Sequence, residues 1–149
     1  MTLPLLLPNG YLPVGLHEAT LDEIVTRFGT HTPRRLALAS RLQELLNLAR
    51  ATGKLRRVFI WGSFVTDKPF PGDLDVFLLM QEGFDREFTN LPPELRGLFD
   101  YARARLLFEA DIFWATEAIG AEELASWLDI YQLSRDMVQR GIVEVLFDD

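Results

Sequence analysis

Val58–Met80, VFIWGSFVTDKPFPGDLDVFLLM, decides how the rest of the chain is read. An apolar run from Val58 to Trp61 ends in Gly62-Ser63, a polar loop containing prolines follows, and Asp73-Leu74-Asp75 opens a second apolar run that ends at Met80. Alternate residues of a strand share a face. Asp73, Asp75, Phe77 and Leu79 therefore lie on one side, and Leu74, Val76, Leu78 and Met80 form a continuous core face on the other. Two carboxylates held close together repel unless a cation sits between them. Mg²⁺ suits that position because it takes oxygen ligands and usually completes its shell with substrate phosphate. Gly62 lets the backbone approach a ligand closely, and turn amides with the Ser63 hydroxyl can hold phosphate oxygens. Lys68, in the same loop, can reach a phosphate as a mobile cation.

The residues between the two runs carry no amphipathic helix pattern and are too few for the usual parallel crossover. Arg57–Trp61 and Leu74–Met80 are therefore expected as antiparallel neighbours joined by a long functional loop. Upstream, residues 1–16 read as an extended arm punctuated by Pro4, Pro8 and Pro13, with a turn at Asn9-Gly10. Thr20-Leu21-Asp22-Glu23 is a capping box that starts a helix ending near Phe28 and Gly29. Thr32-Pro33 starts a second helix, with Leu38, Leu42, Leu45, Leu46 and Ala49 on its core face and Gly53 at its end. Arg34, Arg35, Arg41 and Arg50 are read as its solvated side.

Downstream, Asn90-Leu91-Pro92-Pro93 opens a third helix with Leu95, Leu98, Phe99 and Ala102 on one face. Leu106–Ala115 reads as a strand with Glu109, Asp111 and Phe113 on one side. Ala121–Ser134 is a fourth helix, and Gly141–Phe147 a closing strand. The expected order is two helices, strand, loop, strand, helix, strand, helix, strand. That is one α/β (α+β) domain over residues 1–149 with a small mixed sheet.

Composition narrows the function class. The net charge of −7 opposes broad non-specific nucleic-acid binding. There is no cysteine and only two histidines, His17 and His31, so thiolate and histidine-rich metal sites are excluded from the expectation. MTLPLLLPNG has no basic residue before its apolar run and reads neither as a signal peptide nor as a span, which makes the cytoplasm the expected location.

Gly62-Ser63, nine intervening residues and Asp73-Leu74-Asp75 resemble the signature of the DNA polymerase β-like nucleotidyltransferase superfamily. The resemblance covers roughly residues 58–114. More loosely, LPVGLHEATLDEIVTRFG (12–29) and RGIVEV (140–145) look like flanks of its small stand-alone members. The resemblance implies that Asp73 and Asp75 bind two divalent metals, with Asp111, on a later strand, helping to hold the catalytic ion and activate the acceptor. It implies a Mg²⁺-dependent transfer of a nucleoside monophosphate from a triphosphate such as ATP to an unidentified hydroxyl of a protein, an RNA or a small molecule, releasing pyrophosphate. Gly62, Ser63 and Lys68 would bind the nucleotide. The chain departs from the arginine-rich run that many minimal members carry after Gly-Ser, and Asp67 lies there instead.

Blander readings stand beside these. Asp73 alone fits simple turn chemistry after Pro71-Gly72, and Asp111 alone fits a salt bridge to Arg103 or Arg105. Glu109 reads as a surface or supporting carboxylate. Trp61, Trp114 and Trp127 read as core, with Trp61 bordering the pocket. The competing function is a catalytically weak interaction module of the same fold, such as an antitoxin-like partner of a helical protein. The leucine-rich arm at residues 3–12 would serve that partner or a homodimer.

Overall fold

A computed structural model describes residues 3–134 and 136–147. Its frame is a mixed five-stranded sheet formed by β1 (Leu16–Thr20), β2 (Leu55–Trp61), β3 (Leu74–Met80), β4 (Ala110–Thr116) and β5 (Ile142–Leu146), in the order β1-β5-β2-β3-β4. The helices are α1 (Leu21–Phe28), α2 (Pro33–Ala51), a single turn α3 (Pro93–Arg96), α4 (Tyr101–Phe108) and α5 (Gly120–Tyr131). The fold is mixed α/β, as the apolar periodicities predict.

Both faces of the sheet are covered. Val58 and Ile60 of β2 and Leu74, Val76, Leu78 and Met80 of β3 pack with Ile24, Leu38, Leu42 and Leu45 from α1 and α2. The alternate residues Phe59, Trp61, Phe77 and Leu79 meet Leu124, Trp127, Leu128 and Tyr131 of α5. Completely burying one such side chain contributes about 1.5–3 kcal/mol, so this alternation holds the strand register. β2 and β3 are antiparallel, as expected, with Trp61 opposite Asp75. β3 and β4 are parallel, with Asp75 opposite Asp111.

The capping boundaries are also as read. Thr20 Oγ1 accepts from the Glu23 amide and Thr32 Oγ1 from the Arg35 amide. Four expectations need correction. The single third helix expected from Asn90-Leu91-Pro92-Pro93 through Ala102 is broken into α3, a 3₁₀ turn at Gly97–Phe99 and α4, because Asp100 is extended and caps a new helix. The arm runs into a strand, because Leu16–Thr20 pairs in parallel with β5. The strand expected over Leu106–Ala115 begins at Ala110, since residues through Phe108 belong to α4; Asp100 caps that helix on the Arg103 amide, and Glu109 ends it with φ +52°. Arg35 is not on a solvated face: it is buried, 3% exposed.

Candidate functional site

The parallel register of β3 and β4 sets Asp75 and Asp111 side by side, and Asp73 enters from the residue before β3. One carboxylate oxygen from each of these three aspartates lies within 4.8 Å of the others. Gly62 follows the residue opposite Asp75. Its φ is +85° and its ψ −165°, and a Cβ there would collide with the Asp75 carboxylate. Only glycine adopts this conformation readily, and only the missing side chain leaves room for Asp75. Ser63–Val65 then makes a single 3₁₀ turn, with the Val65 amide donating to the Gly62 carbonyl.

Positive charge already reaches the carboxylates. Arg105 Nη1 of α4 lies 3.1 Å from Asp73 Oδ2 and 2.5 Å from Asp111 Oδ1. The Tyr101 hydroxyl, one helical turn earlier, donates to the same Asp111 oxygen at 2.7 Å. The hydrogen bond to Asp111, reinforced by Asp73, holds the Arg105 guanidinium more firmly in its charged form. The bond to Asp111 also raises the Tyr101 phenol above its ordinary value. Arg105 is the salt-bridge alternative for Asp111 named above. The donor set fits Mg²⁺: three carboxylates converge, no side chain intrudes from Gly62, and the arginine marks the cluster's demand for a cation.

The loop between β2 and β3 is held by Arg35. From within α2 its guanidinium donates to the carbonyls of Phe28 (2.9 Å), Phe64 (2.7 Å), Thr66 (2.6 Å) and Lys68 (2.6 Å), with a longer contact to Ser63 (3.4 Å). Burial lowers its pKa, an effect partly offset by Asp67. Asp67 sits against the arm's turn: its amide donates to the Gly10 carbonyl, and its carboxylate occupies the space a Gly10 Cβ would need. Asp67, which stands where the arginine-rich run was missing, is thus braced by the arm while still lining the cleft. Arg34 fastens the loop's other end, donating to the carbonyls of Pro71 and Gly72 and to Glu109. Glu109 is therefore a loop brace.

Gly62, Ser63, Lys68, Asp73 and Asp75 all line one cleft of about 450 Å³, while Asp111 meets the trio from the β4 side. Arg140, just before β5, lines the same cleft. Its Nε is buried without a hydrogen-bond partner among the described residues. A buried, unpaired donor of this kind is costly and suits an anion that would accept from it.

On the sheet face covered by α5 the surroundings change to aromatic. Trp61 stacks on Tyr131 with centroids 3.9 Å apart, and Phe113 stacks against both. Trp61 is buried, as expected, whereas Trp114 and Trp127 line an apolar pocket that Tyr101 and Phe113 also border.

Residues 4–146 match the sequence pattern of DUF6932, described as a family of unknown function. The chain belongs to this family. No curated protein and no solved structure matches the DUF6932 chain. Among its described residues no helix is long and apolar enough to cross a membrane.

The structure brings Asp73, Asp75 and Asp111 together and sets Gly62, Ser63 and Lys68 with Asp73 and Asp75 along one cleft, which Asp111 does not line. Sequence reasoning missed Tyr101, Arg35 and Arg140. Arg35 carried a signal, since it precedes Leu38 by three residues and Leu42 by seven and so lies on the apolar stripe of α2. Tyr101 was missed because the residues that form α4 were read partly as strand, and Arg140 because its place on the cleft depends on chain distant in sequence.

Proposed function

We propose that this DUF6932 chain is a Mg²⁺-dependent nucleotidyltransferase, acting in the cytoplasm, that moves a nucleoside monophosphate from a nucleoside triphosphate to a hydroxyl and releases pyrophosphate. The observation that carries this reading is the convergence of Asp73, Asp75 and Asp111 beside a cleft walled by Gly62 and Ser63. Asp73, Asp75 and Asp111 would hold one or two Mg²⁺ ions, which when bound supply charge neutralisation at the reacting phosphate. Ser63 and Lys68 line the cleft where phosphate oxygens would lie, and the cationic Arg140 lines it with them. Fixed donors of this kind favour charge that develops during transfer, because they need little reorganisation. Asp111, at the edge nearest an incoming hydroxyl, is the group suited to take its proton.

The test is incubation of the purified chain with labelled triphosphates and Mg²⁺. Label transfer or pyrophosphate release is expected, and Asp75→Asn should abolish it. Failure of metal and triphosphate to bind at millimolar concentration ends the enzyme reading.

A second reading keeps the fold and drops the chemistry: an interaction module, antitoxin-like, that binds a helical protein or a second copy of itself. Arg105 favours it by pairing with two of the three aspartates without a metal. The arm adds Leu5, which is 86% exposed and available to a partner. Co-purification with a helical protein, unaffected by Asp75→Asn, would support this reading over the first.

A further inference from the structure

The active-site reading leaves the acceptor's chemistry open, and the junction of β4 with α5 bears on it. From β2 outward the sheet presents the Gly62-Ser63 turn, then Asp75 on β3, then Asp111 on β4. The charged cleft lies on the turn side of this row. Where the edge strand β4 meets α5 is an apolar pocket of about 470 Å³ with walls that include Tyr101, Phe113, Trp114, Trp127 and Ile130. That volume lies within the range of about 300–1,000 Å³ common for small-molecule sites.

Two features separate the pocket from an ordinary patch of exposed core. Among the described residues none of its lining side chains carries a charge, whereas the adjoining cleft is lined by Asp67, Lys68, Asp73, Asp75 and Arg140. It is also joined to the carboxylates directly: Tyr101 forms part of its wall while its hydroxyl donates to Asp111. An uncharged wall rejects a phosphate-bearing chain, which would lose its hydration without compensation. Aromatic walls favour a flat ring, which can stack on them or meet them edge-on.

We propose that this pocket takes the aromatic ring of a small uncharged aryl alcohol, and that this alcohol is the nucleotidyl acceptor. The assignment rests on the nucleotidyltransferase reading. With the ring against Phe113 and Trp127, the alcohol's oxygen faces Asp111 and attacks the α-phosphorus. The new bond joins the alcohol oxygen to phosphorus, the α–β bridging P–O bond breaks, pyrophosphate departs with that electron pair, and the hydroxyl proton passes to the Asp111 carboxylate.

The experiment uses the full chain and 2-(2-naphthyl)ethanol as probe, with 2-cyclohexylethanol as its non-aromatic counterpart. Binding is followed by ligand-observed NMR without metal or triphosphate. The naphthyl probe should bind at sub-millimolar concentration, and the cyclohexyl probe about fivefold more weakly. Ile130 is 64% exposed, so Ile130→Glu should fold normally while placing a charge in the pocket, and it should weaken naphthyl binding at least fivefold. Phe113→Ala, checked for folding by circular dichroism, should weaken it as well. With ATP and Mg²⁺ added, mass spectrometry should find the probe's adenylate, with a raised KM in Ile130→Glu.

Equal binding by wild type and Ile130→Glu overturns the pocket assignment. Displacement of the probe by ATP alone gives the pocket to the donor's base and overturns the acceptor assignment. The two readings fail differently. Probe binding that persists in wild type and Asp75→Asn with no transfer to any acceptor removes the reaction, and the acceptor role with it. Pyrophosphate release without probe binding removes the pocket alone.

Discussion

The loop side and the carboxylate side of the site each carry an arginine, in opposite surroundings. Arg35 is buried and meets backbone carbonyls, which do not move independently of the chain and cannot change their charge. Arg105 is partly exposed and meets two carboxylates, whose combined charge one guanidinium does not cancel. One arginine is therefore part of the framework and the other is a counterion tethered to a helix. Position in the sheet accounts for the difference. The β2–β3 loop passes over α2 and leaves several carbonyls turned inward, and only a long multi-donor cation satisfies them together. The carboxylates stand at the sheet's end, open to solvent, where an ion pair is readily exchanged.

The sharpest way to break this contrast is to remove the buried arginine. Arg35→Met should cost about 3–5 kcal/mol, because several buried acceptors lose their donor at once. A fall in the urea midpoint checks this. If stability is unchanged, the loop does not depend on α2.

Gly62→Ala tests the seam between the two sides. Its backbone conformation should cost about 1–3 kcal/mol in any residue with a Cβ. The displaced Asp75 carboxylate should also weaken Mn²⁺ binding, read by calorimetry. Stability lost with metal binding intact would mean that Gly62 serves only the turn.

Arg105→Ala should barely move the urea midpoint, as expected of an exposed ion pair. It should tighten Mn²⁺ binding by roughly three- to tenfold, since the metal no longer competes with a guanidinium for the same oxygens. Weaker binding would make Arg105 a fixed partner of the aspartates and not a replaceable one.

The smallest effect concerns pH. The Tyr101 phenol, hydrogen-bonded to Asp111, should titrate above its ordinary value of 10.0. Because the folded value is raised, the stability from this bond is complete below pH 10 and is lost as the pH climbs through the shifted value. Ultraviolet difference titration should follow it, and Asp111→Asn should return it towards 10.0.

Much of the framework was legible in the residues. β3 runs from Leu74 to Met80 as its alternation indicates, and the Thr20 and Thr32 caps are local chemistry that needs no tertiary information. β1 was not legible. Leu16–Thr20 follows three prolines, and only its parallel pairing with a strand more than a hundred residues later makes it one. The helix-to-strand boundary at Glu109 was misplaced because LLFEADIFWA is apolar enough to serve either structure. Arg35 was misread because charge was taken as a sign of exposure, although its helical position placed it inside. On the site, the pairing of Asp75 with Asp111 was expected from separate strands, whereas Arg140 reaches the cleft by a route no local pattern encodes.

The order of the strands also has a consequence for biosynthesis. β5 is the last of the five strands to leave the ribosome, yet it lies inside the sheet between β1 and β2. Until it emerges, β1 lacks the strand it pairs with among the described residues, and β2 exposes an open edge of the kind that recruits other chains. Translation arrested before Ile142 would release an adhesive intermediate.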